Sequence, residues 1–328
     1  YVLPMKILVT GAGGFVGNAL CRHLAASGHG VIGVFRENPA PASWMESRIV
    51  GDLQNIADFA GVVEGADAVV HLAARVHMMR ETAADPEAAF IRANTDVTEK
   101  LARAASGAGT RAFVFLSSVK VNGEATNGAL FTETDDPAPE DAYGRSKLAA
   151  ETALRKIAAN SPMSITTLRI PLVYGPGVRA NFAALLRVCD LPLPLPLGGI
   201  AGNRRSLLYV GNLTHAIERV LDTGGKSMAD ESGLGAEIFF LSDGEDMSTA
   251  DLVRRLRRCL NRRFPGIAIP AGVIRTLAHI AGKASAADRL CGSLQIDPAR
   301  FAKEFGWIPP FSVDQGLAAT AASHRIAR

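Results

Sequence analysis

The chain has 328 residues, with 35 Lys and Arg against 32 Asp and Glu for a formal net charge of +3, and its charges are interspersed along the length. That size accommodates one large α/β unit or two domains with a substantial core, and without a basic tail or patch it gives no sign of nucleic-acid binding. Four widely spaced cysteines, Cys21, Cys189, Cys259 and Cys291, suit reduced cytosolic thiols better than disulfides or a zinc site, and no apolar run reaches the ~18 residues of a membrane span, so a cytoplasmic protein without metal or membrane attachment is expected.

Met5 opens the recognisable pattern after "YVLP". "KILVT" (6–10) reads as a buried strand, and "TGAGGFVG" (10–17) follows it into a helix expected to begin near Val16. Gly11, Gly14 and Gly17 have GxxGxxG spacing. Lacking Cβ atoms, they let the turn tighten, a pyrophosphate approach backbone N–H groups at the helix start, and the helix pack closely on the strand. Phe15 and Val16 share this turn and are expected at the cofactor with the glycines.

The second strand, "HGVIGVF" (29–35), ends at Phe35 and is followed by Arg36 and Glu37. A carboxylate near this strand end suits the ribose of NAD, whereas an arginine suits a 2′-phosphate. Arg36 therefore favours NADP(H), and Glu37 keeps NAD(H) open. "GDL" (51–53) follows a short third strand and puts Asp52 in reach of an adenine amino group, with Leu53 beside it; the bland alternative is a turn aspartate. "DAVVHLAA" (67–74) closes the fourth strand with Leu72, Ala73 and Ala74, leaving room for a cofactor to cross the sheet edge.

A helix over about 87–106, the strand "AFVFLSS" (112–118), a helix over about 142–159 and the strand "SITTLRI" (164–170) come next. Strands separated by helical stretches imply right-handed βαβ units and a parallel sheet. The predicted class is α/β, a Rossmann-like doubly wound sheet. After "YGPG" (174–177) the texture changes. The prolines of "LPLPLPLGG" (191–199) exclude a regular helix interior there. "RRSLLYVGNLTHAIERVL" (204–221) is expected to return to the sheet as strand and helix, and "EIFFLSDGE" (237–245) as a further strand. Residues 5–175, with returning segments at about 205–247, are expected to form the NAD(P)-binding domain; 176–204 and 248–328 form a smaller, discontinuous substrate lobe.

Within "EDAYGRSKLAAE" (140–151), Tyr143 and Lys147 are four apart and share a helix face. Ser118 ends the strand 25 residues upstream of Tyr143. A tyrosine acting as base near pH 7 needs its pKa lowered by about three units, roughly 4 kcal/mol, which an ammonium and an oxidised nicotinamide in a partly dehydrated site can supply. Tyr143 would then take a hydroxyl proton while hydride leaves the adjacent carbon, or act as acid in the reverse direction. Ser118 would hold the substrate oxygen, and Lys147 the cofactor ribose.

"TGAGGFVG", "GDL", "HLAA", "SSVKVNG", "YGRSK", "LRIPLVYGPG" and "RRSLLYVGNL" together resemble the extended short-chain dehydrogenase/reductases of the NAD(P)-dependent nucleotide-sugar epimerase and dehydratase type, over residues 5–310. The resemblance implies a catalytic triad of Ser118, Tyr143 and Lys147 and places Asn94 structurally beside the cofactor site. It puts Pro171 next to the nicotinamide, and Asn181, Arg205 and Arg289 on a nucleotide diphosphate, for which arginine is well suited. Relatives that dehydrate sugars carry Asp and Glu after the catalytic Ser/Thr, where this chain has Val119 and Lys120, which excludes a 4,6-dehydratase. A cysteine used in C3/C5 epimerisation is likewise replaced by Lys120, and a family asparagine by Leu172.

Two activities on a UDP-sugar remain. The first is NADPH-dependent reduction of a UDP-4-keto-6-deoxy-N-acetylhexosamine, which the resemblance of "LSSVKVNGE", "PLVYGPGVRANF" and "RLCGSL" to bacterial reductases implies and with which Arg36 agrees; the alternative is a UDP-glucose or UDP-N-acetylglucosamine 4-epimerase holding NAD tightly. A non-catalytic dinucleotide sensor is the remote third, since such proteins typically lack the Tyr and Lys. By resemblance, the helices over 87–106 and 142–159 imply a homodimer. His77, Met78, Met79 and His215 are assigned to core or surface.

Overall fold

Short runs of β-branched and aromatic residues form the strands, in a computed structural model that describes residues 4–37, 42–76, 84–224, 236–262, 266–282 and 284–326. In chain order the strands are β1 (Lys6–Thr10), β2 (Gly30–Phe35), β3 (Glu46–Ile49), β4 (Ala68–His71), β5 (Ala112–Ser118), β6 (Ser164–Ile170), β7 (Leu172–Tyr174), β8 (Leu207–Tyr209) and β9 (Ala236–Phe240). Seven of them make one sheet in the order β3-β2-β1-β4-β5-β6-β9, and every pairing is parallel. Chain order reverses direction at β1, so the crevice beyond the carboxyl ends of β1 and β4 is the topological switch point of this α/β sheet.

The helices are α1 (Phe15–Ala26), α2 (Ala60–Val63), α3 (Pro86–Phe90), α4 (Val97–Gly107), α5 (Ala142–Ala158), α6 (Ala180–Cys189), α7 (Val210–Asp222), α8 (Thr249–Cys259), α9 (Ala271–Ile280), α10 (Ala284–Cys291), α11 (Ala299–Phe305) and α12 (Val313–Ile326). Alternation along β1 sends Ile7 and Val9 to one face, against Leu20 and Leu24 of α1 and Leu213 and Ile217 of α7. Leu8 goes to the other face, with Leu101 of α4 and Leu154 of α5. A parallel sheet covered on both faces needs such uninterrupted apolar strands. Each fully buried Leu, Ile or Phe contributes about 1.5–3 kcal/mol relative to exposure. A third core joins β7 and β8 to α6, α8 and α12 through Tyr174, Phe182, Leu186, Tyr209, Leu256 and Leu317.

Three expectations are corrected. β8 does not return to the main sheet; it pairs with β7 in a separate two-stranded sheet. Pro171 stands between β6 and β7, where its missing N–H ends the ladder and lets the chain turn away. The helix expected over 87–106 is divided, with a π-helical turn at Ile91–Asp96 between α3 and α4. The fourth strand stops at His71, so Leu72, Ala73 and Ala74 are irregular backbone at its carboxyl end. His77, Met78 and Met79 lie outside the described residues. No helix among the described residues is long and apolar enough to cross a membrane.

Candidate active site

The glycine turn closes against the end of β4. Gly11 has φ +69°, and a Cβ there would sit 3.0 Å from the Ala73 nitrogen; one on Gly17 would lie 2.1 Å from the Gly11 carbonyl oxygen. The Gly14 N–H donates to the Gly11 oxygen at 2.9 Å, and Gly14 caps α1 without a side-chain hydrogen bond. Backbone N–H groups at the start of α1 are therefore left to a ligand, in a cradle that side chains would fill. These features fit the pyrophosphate of a dinucleotide. Phe15 and Val16, expected at the cofactor, pack against the third core, and Phe15 also lines a hollow of about 480 Å³ between α1 and α7 that holds none of the catalytic candidates.

Farther along the carboxyl edge, the Arg36 guanidinium lies 3.7 Å from the Asp52 carboxylate, with Arg36 73% exposed. Asp52 also accepts from the Gln54 backbone N–H at 3.0 Å, so it both caps the short turn that begins at Leu53 and faces Arg36. The two residues expected to read the adenosine thus meet each other.

β5 and α5 bring Ser118, Tyr143 and Lys147 together. Asp141 caps α5 by accepting from the Gly144 N–H at 2.7 Å, which sets Tyr143 in the first turn, and Lys147 follows one turn later. Tyr143 is half-buried and hydrogen-bonds Ser118. Lys147 is 2% exposed; its Nζ donates to the Leu116 carbonyl at 2.8 Å and lies 4.4 Å from the Phe115 ring centre and 6.0 Å from that of Tyr143. Burial pushes the Tyr143 phenol up to about 12, with the Ser118 hydrogen bond pulling it down and Asp141 pushing it further up. Burial brings the Lys147 ammonium down to about 7, against the pull of Glu151. Low dielectric disfavours both charged forms, so the chain's own groups move the phenol opposite to the depression expected from sequence.

The neighbours that hold this couple were not singled out from sequence. Glu151, one turn beyond Lys147, forms a buried bidentate pair with Arg169 of β6 (Nε–Oε1 3.1 Å, Nη2–Oε2 2.6 Å) and accepts from Ser117 at 2.6 Å. Arg169 also donates to Asn122 at 2.9 Å, tying the segment after Ser118 to the sheet. A charge within the buried strand "SITTLRI" was the available signal, because buried charges require partners. His71, fully buried at the end of β4, is bonded to Thr10 (2.7 Å) and Thr98 (3.0 Å), and burial, with Lys147 adding, holds its pKa down to about 3. Thr10 in turn accepts from the N–H groups of Leu72 and Ala73, both at 3.2 Å, fixing the wall against Gly11.

Asn94 sits in the π-helical turn and is 1% exposed. Its oxygen accepts from the Arg75 N–H at 2.8 Å, and its nitrogen donates to the Arg75 carbonyl and Ser146 Oγ at 3.0 and 2.9 Å. Asn94, expected structurally beside the cofactor site, ties the segment after β4 to α5 through these bonds. Pro171 is buried at the β6–β7 break. His215 accepts from the Trp307 indole at 3.0 Å, a packing role.

On the substrate side, Arg205 donates to the carbonyls of Arg289 (2.8 Å) and Gly292 (3.2 Å), so two arginine residues expected at the diphosphate are linked through backbone. Burial, with Arg289 adding, lowers the Arg205 pKa from its ordinary value. Asn181 is exposed near the start of α6. At the positions after Ser118, Val119 is buried and Lys120 is bound to Glu124 and Asp141 at 2.5 and 2.7 Å.

A model of the NAD dependent epimerase/dehydratase family matches residues 7–229. The chain is 36% identical over 320 residues to the UDP-glucose 4-epimerase of Vibrio cholerae, covering 97% of this chain and 95% of that protein. It is 28% identical over 343 residues to the 2-alkyl-3-oxoalkanoate reductase of Stenotrophomonas maltophilia (strain K279a), covering 97% and 99%. Among solved structures, its fold is similar to the UDP-N-acetylglucosamine 4-epimerase from Bacillus cereus, with TM-score 0.78, 19% identity and coverage of 98% and 99%. It is also similar in fold to the UDP-glucuronic acid 4-epimerase from Bacillus cereus in complex with NAD, with TM-score 0.76, 22% identity and the same coverage, 98% and 99%. The chain is an enzyme of the NAD dependent epimerase/dehydratase family.

Proposed function

We propose that this enzyme is a UDP-sugar 4-epimerase that uses NAD. The observation that carries the proposal is a single acid–base couple: Tyr143 joined to Ser118 with Lys147 behind them, while the next two positions hold a buried valine and an ion-paired lysine. Such a site is suited to moving one hydroxyl proton and lacks the acid–base pair that eliminates water. Likeness to the Vibrio cholerae UDP-glucose 4-epimerase over nearly all of both chains supports the epimerase over the reductase favoured on sequence grounds. The Arg36–Asp52 pair supports NAD, because a 2′-phosphate at Arg36 would be set beside a carboxylate 3.7 Å from that guanidinium.

In this scheme the glycine turn and α1 hold the pyrophosphate, Asp52 the adenosine, and Lys147 the nicotinamide ribose. When bound, the dinucleotide supplies a hydride acceptor that also returns the hydride. Tyr143 takes the proton of the sugar C4 hydroxyl and gives it back after the sugar has turned over in the site. Ser118 holds the C4 oxygen throughout by a hydrogen bond. Arg205 and Arg289 hold the diphosphate, which anchors the UDP portion while the sugar turns. The resulting molecule is a homodimer through α4 and α5.

The test is to denature the purified protein, identify the nucleotide released, and follow C4 configuration in UDP-glucose and UDP-N-acetylglucosamine. NAD release with C4 inversion is expected. Stoichiometric oxidation of NADPH by a UDP-4-keto-6-deoxy-N-acetylhexosamine, without inversion of either sugar, would overturn the epimerase in favour of the reductase.

A further inference from the structure

We propose that Lys120 is a positioning residue for the acid–base tyrosine: by bridging Glu124 and Asp141 it ties the turn carrying Ser118 to the helix turn carrying Tyr143 and neutralises the carboxylate that acts on the phenol. The inference rests on the assignment of Tyr143 as acid and base.

The 3₁₀ turn Val119–Val121 leaves β5 directly after Ser118, and the Lys120 N–H donates back to Ser118 Oγ at 3.3 Å. From this turn the ammonium reaches Glu124 Oε1 at 2.5 Å and Asp141 Oδ2 at 2.7 Å. The other Asp141 oxygen caps α5 through Gly144, one residue beyond Tyr143. Backbone contact closes the same junction, since a Cβ on Gly144 would stand 2.7 Å from the Lys120 carbonyl oxygen. One carboxylate therefore orients the first turn of the catalytic helix and accepts the cation presented by the catalytic strand.

Asp141 is also an electrostatic liability. Its negative charge opposes formation of the Tyr143 phenolate, and Lys120 is a cation in direct contact with it. Burial draws the Lys120 ammonium down, but its hydrogen bonds to Asp141 and Glu124 more than offset this, so it is held above the ordinary lysine value and stays charged across the working range. The charged and titratable groups around this junction include Asp141 at the N-cap of α5, Lys147 and Glu151 on α5, Lys120 and Glu124 after β5 with Arg205 acting on Glu124, and His71 on β4 behind Lys147. The Glu87–Arg145 pair acts on Asp141 from the outside, and Arg75 lies over the Phe90 ring that packs on Tyr143. Lys120 thus belongs to the charge environment of the phenol without touching the reacting atoms.

The pH dependence of kcat with UDP-glucose separates this role from a purely structural one. Lys120→Met is expected to lower kcat at pH 7 about tenfold and to move the acid limb up by about one pH unit, with KM for the UDP-sugar changed less than about twofold. Glu124→Gln, which leaves the Asp141 tie intact, is expected to move the limb the other way. Adding Glu124→Gln to Lys120→Met is expected to bring it back toward the parent, and Lys120→Arg to hold it in place. An acid limb unmoved in both Lys120→Met and Glu124→Gln would overturn the inference, and if Lys120→Met does not fold, Glu124→Gln alone decides it. Full turnover in Tyr143→Phe would instead remove the acid–base assignment itself.

Discussion

Tyr143 and Lys147 have charge states that depend on what lies near them. The phenol is pushed up to about 12 and the ammonium down to about 7, in both cases chiefly by burial. An acid–base tyrosine in these surroundings needs cationic neighbours, and a lysine one turn away needs an anion or hydrogen-bond acceptors to stay charged. Tyr143→Phe removes only the ionisable oxygen, so turnover is expected to fall by about 10²–10⁴-fold while cofactor binding, followed by fluorescence titration, survives. Near-normal turnover would refute the assigned role.

Lys147 also bears on stability. Between a folded value of about 7 and the ordinary lysine value of 10.5 the unfolded chain binds more protons than the folded one, so this group makes stability rise with pH over that window, with a slope approaching about 1.4 kcal/mol per pH unit. Urea unfolding of the cofactor-free protein at pH 7 and 8.5 is expected to show that rise, and Lys147→Met to lose it and be the more stable of the two at pH 7. Equal pH slopes in both proteins would contradict this. That Ser118, Tyr143 and Lys147 come together was legible in the sequence, since i, i+4 spacing and a Ser-ended strand are local patterns. The environment that sets the charges was not, because Leu116 and Phe115 of β5 reach Lys147 only after the helix docks on the sheet.

Between elements, the buried Glu151–Arg169 pair ties α5 to β6. Both side chains are nearly inaccessible, at 0% and 2%, so removing one partner leaves an uncompensated buried charge. Glu151→Leu is expected to destabilise the protein by about 3–5 kcal/mol, and Glu151→Leu with Arg169→Met to recover much of that loss. Chemical denaturation of the two variants checks it; additive losses would mean that the pair is not the coupling. The glycine turn shows a different constraint, since the Gly17 position admits no Cβ beside the Gly11 oxygen. Gly17→Ala is expected to cost about 1–3 kcal/mol through overpacking, and unchanged thermal stability would show that α1 shifts freely. Sequence spacing indicated this turn, whereas the π-helical turn at Asn94 was hidden inside an unbroken helical pattern. Its cause is tertiary: Asn94 must meet both Arg75 and Ser146.

Across the molecule, late segments complete the core of the early ones. β9 pairs with β6, and Phe301, Phe305 and Trp307 pack with Phe239 in the cluster that also holds Ile7 and Val9. A fragment ending at residue 224 would lack that strand and those aromatics. It is expected to lose cooperative unfolding and near-ultraviolet dichroism, and a sharp two-state transition in the fragment would argue that the early strands are self-sufficient. By itself the sequence determined the doubly wound α/β class, the strands and glycine turn of the first half, and the Ser118, Tyr143 and Lys147 set, because these follow from local periodicity and fixed spacings. Only the tertiary structure decided that β8 pairs with β7, that Asn94 is a structural tie, that Arg36 faces Asp52, and that Lys120 bridges Glu124 and Asp141. Each of those depends on side chains or strands meeting across the sheet's carboxyl edge, where distance along the chain carries no information about proximity.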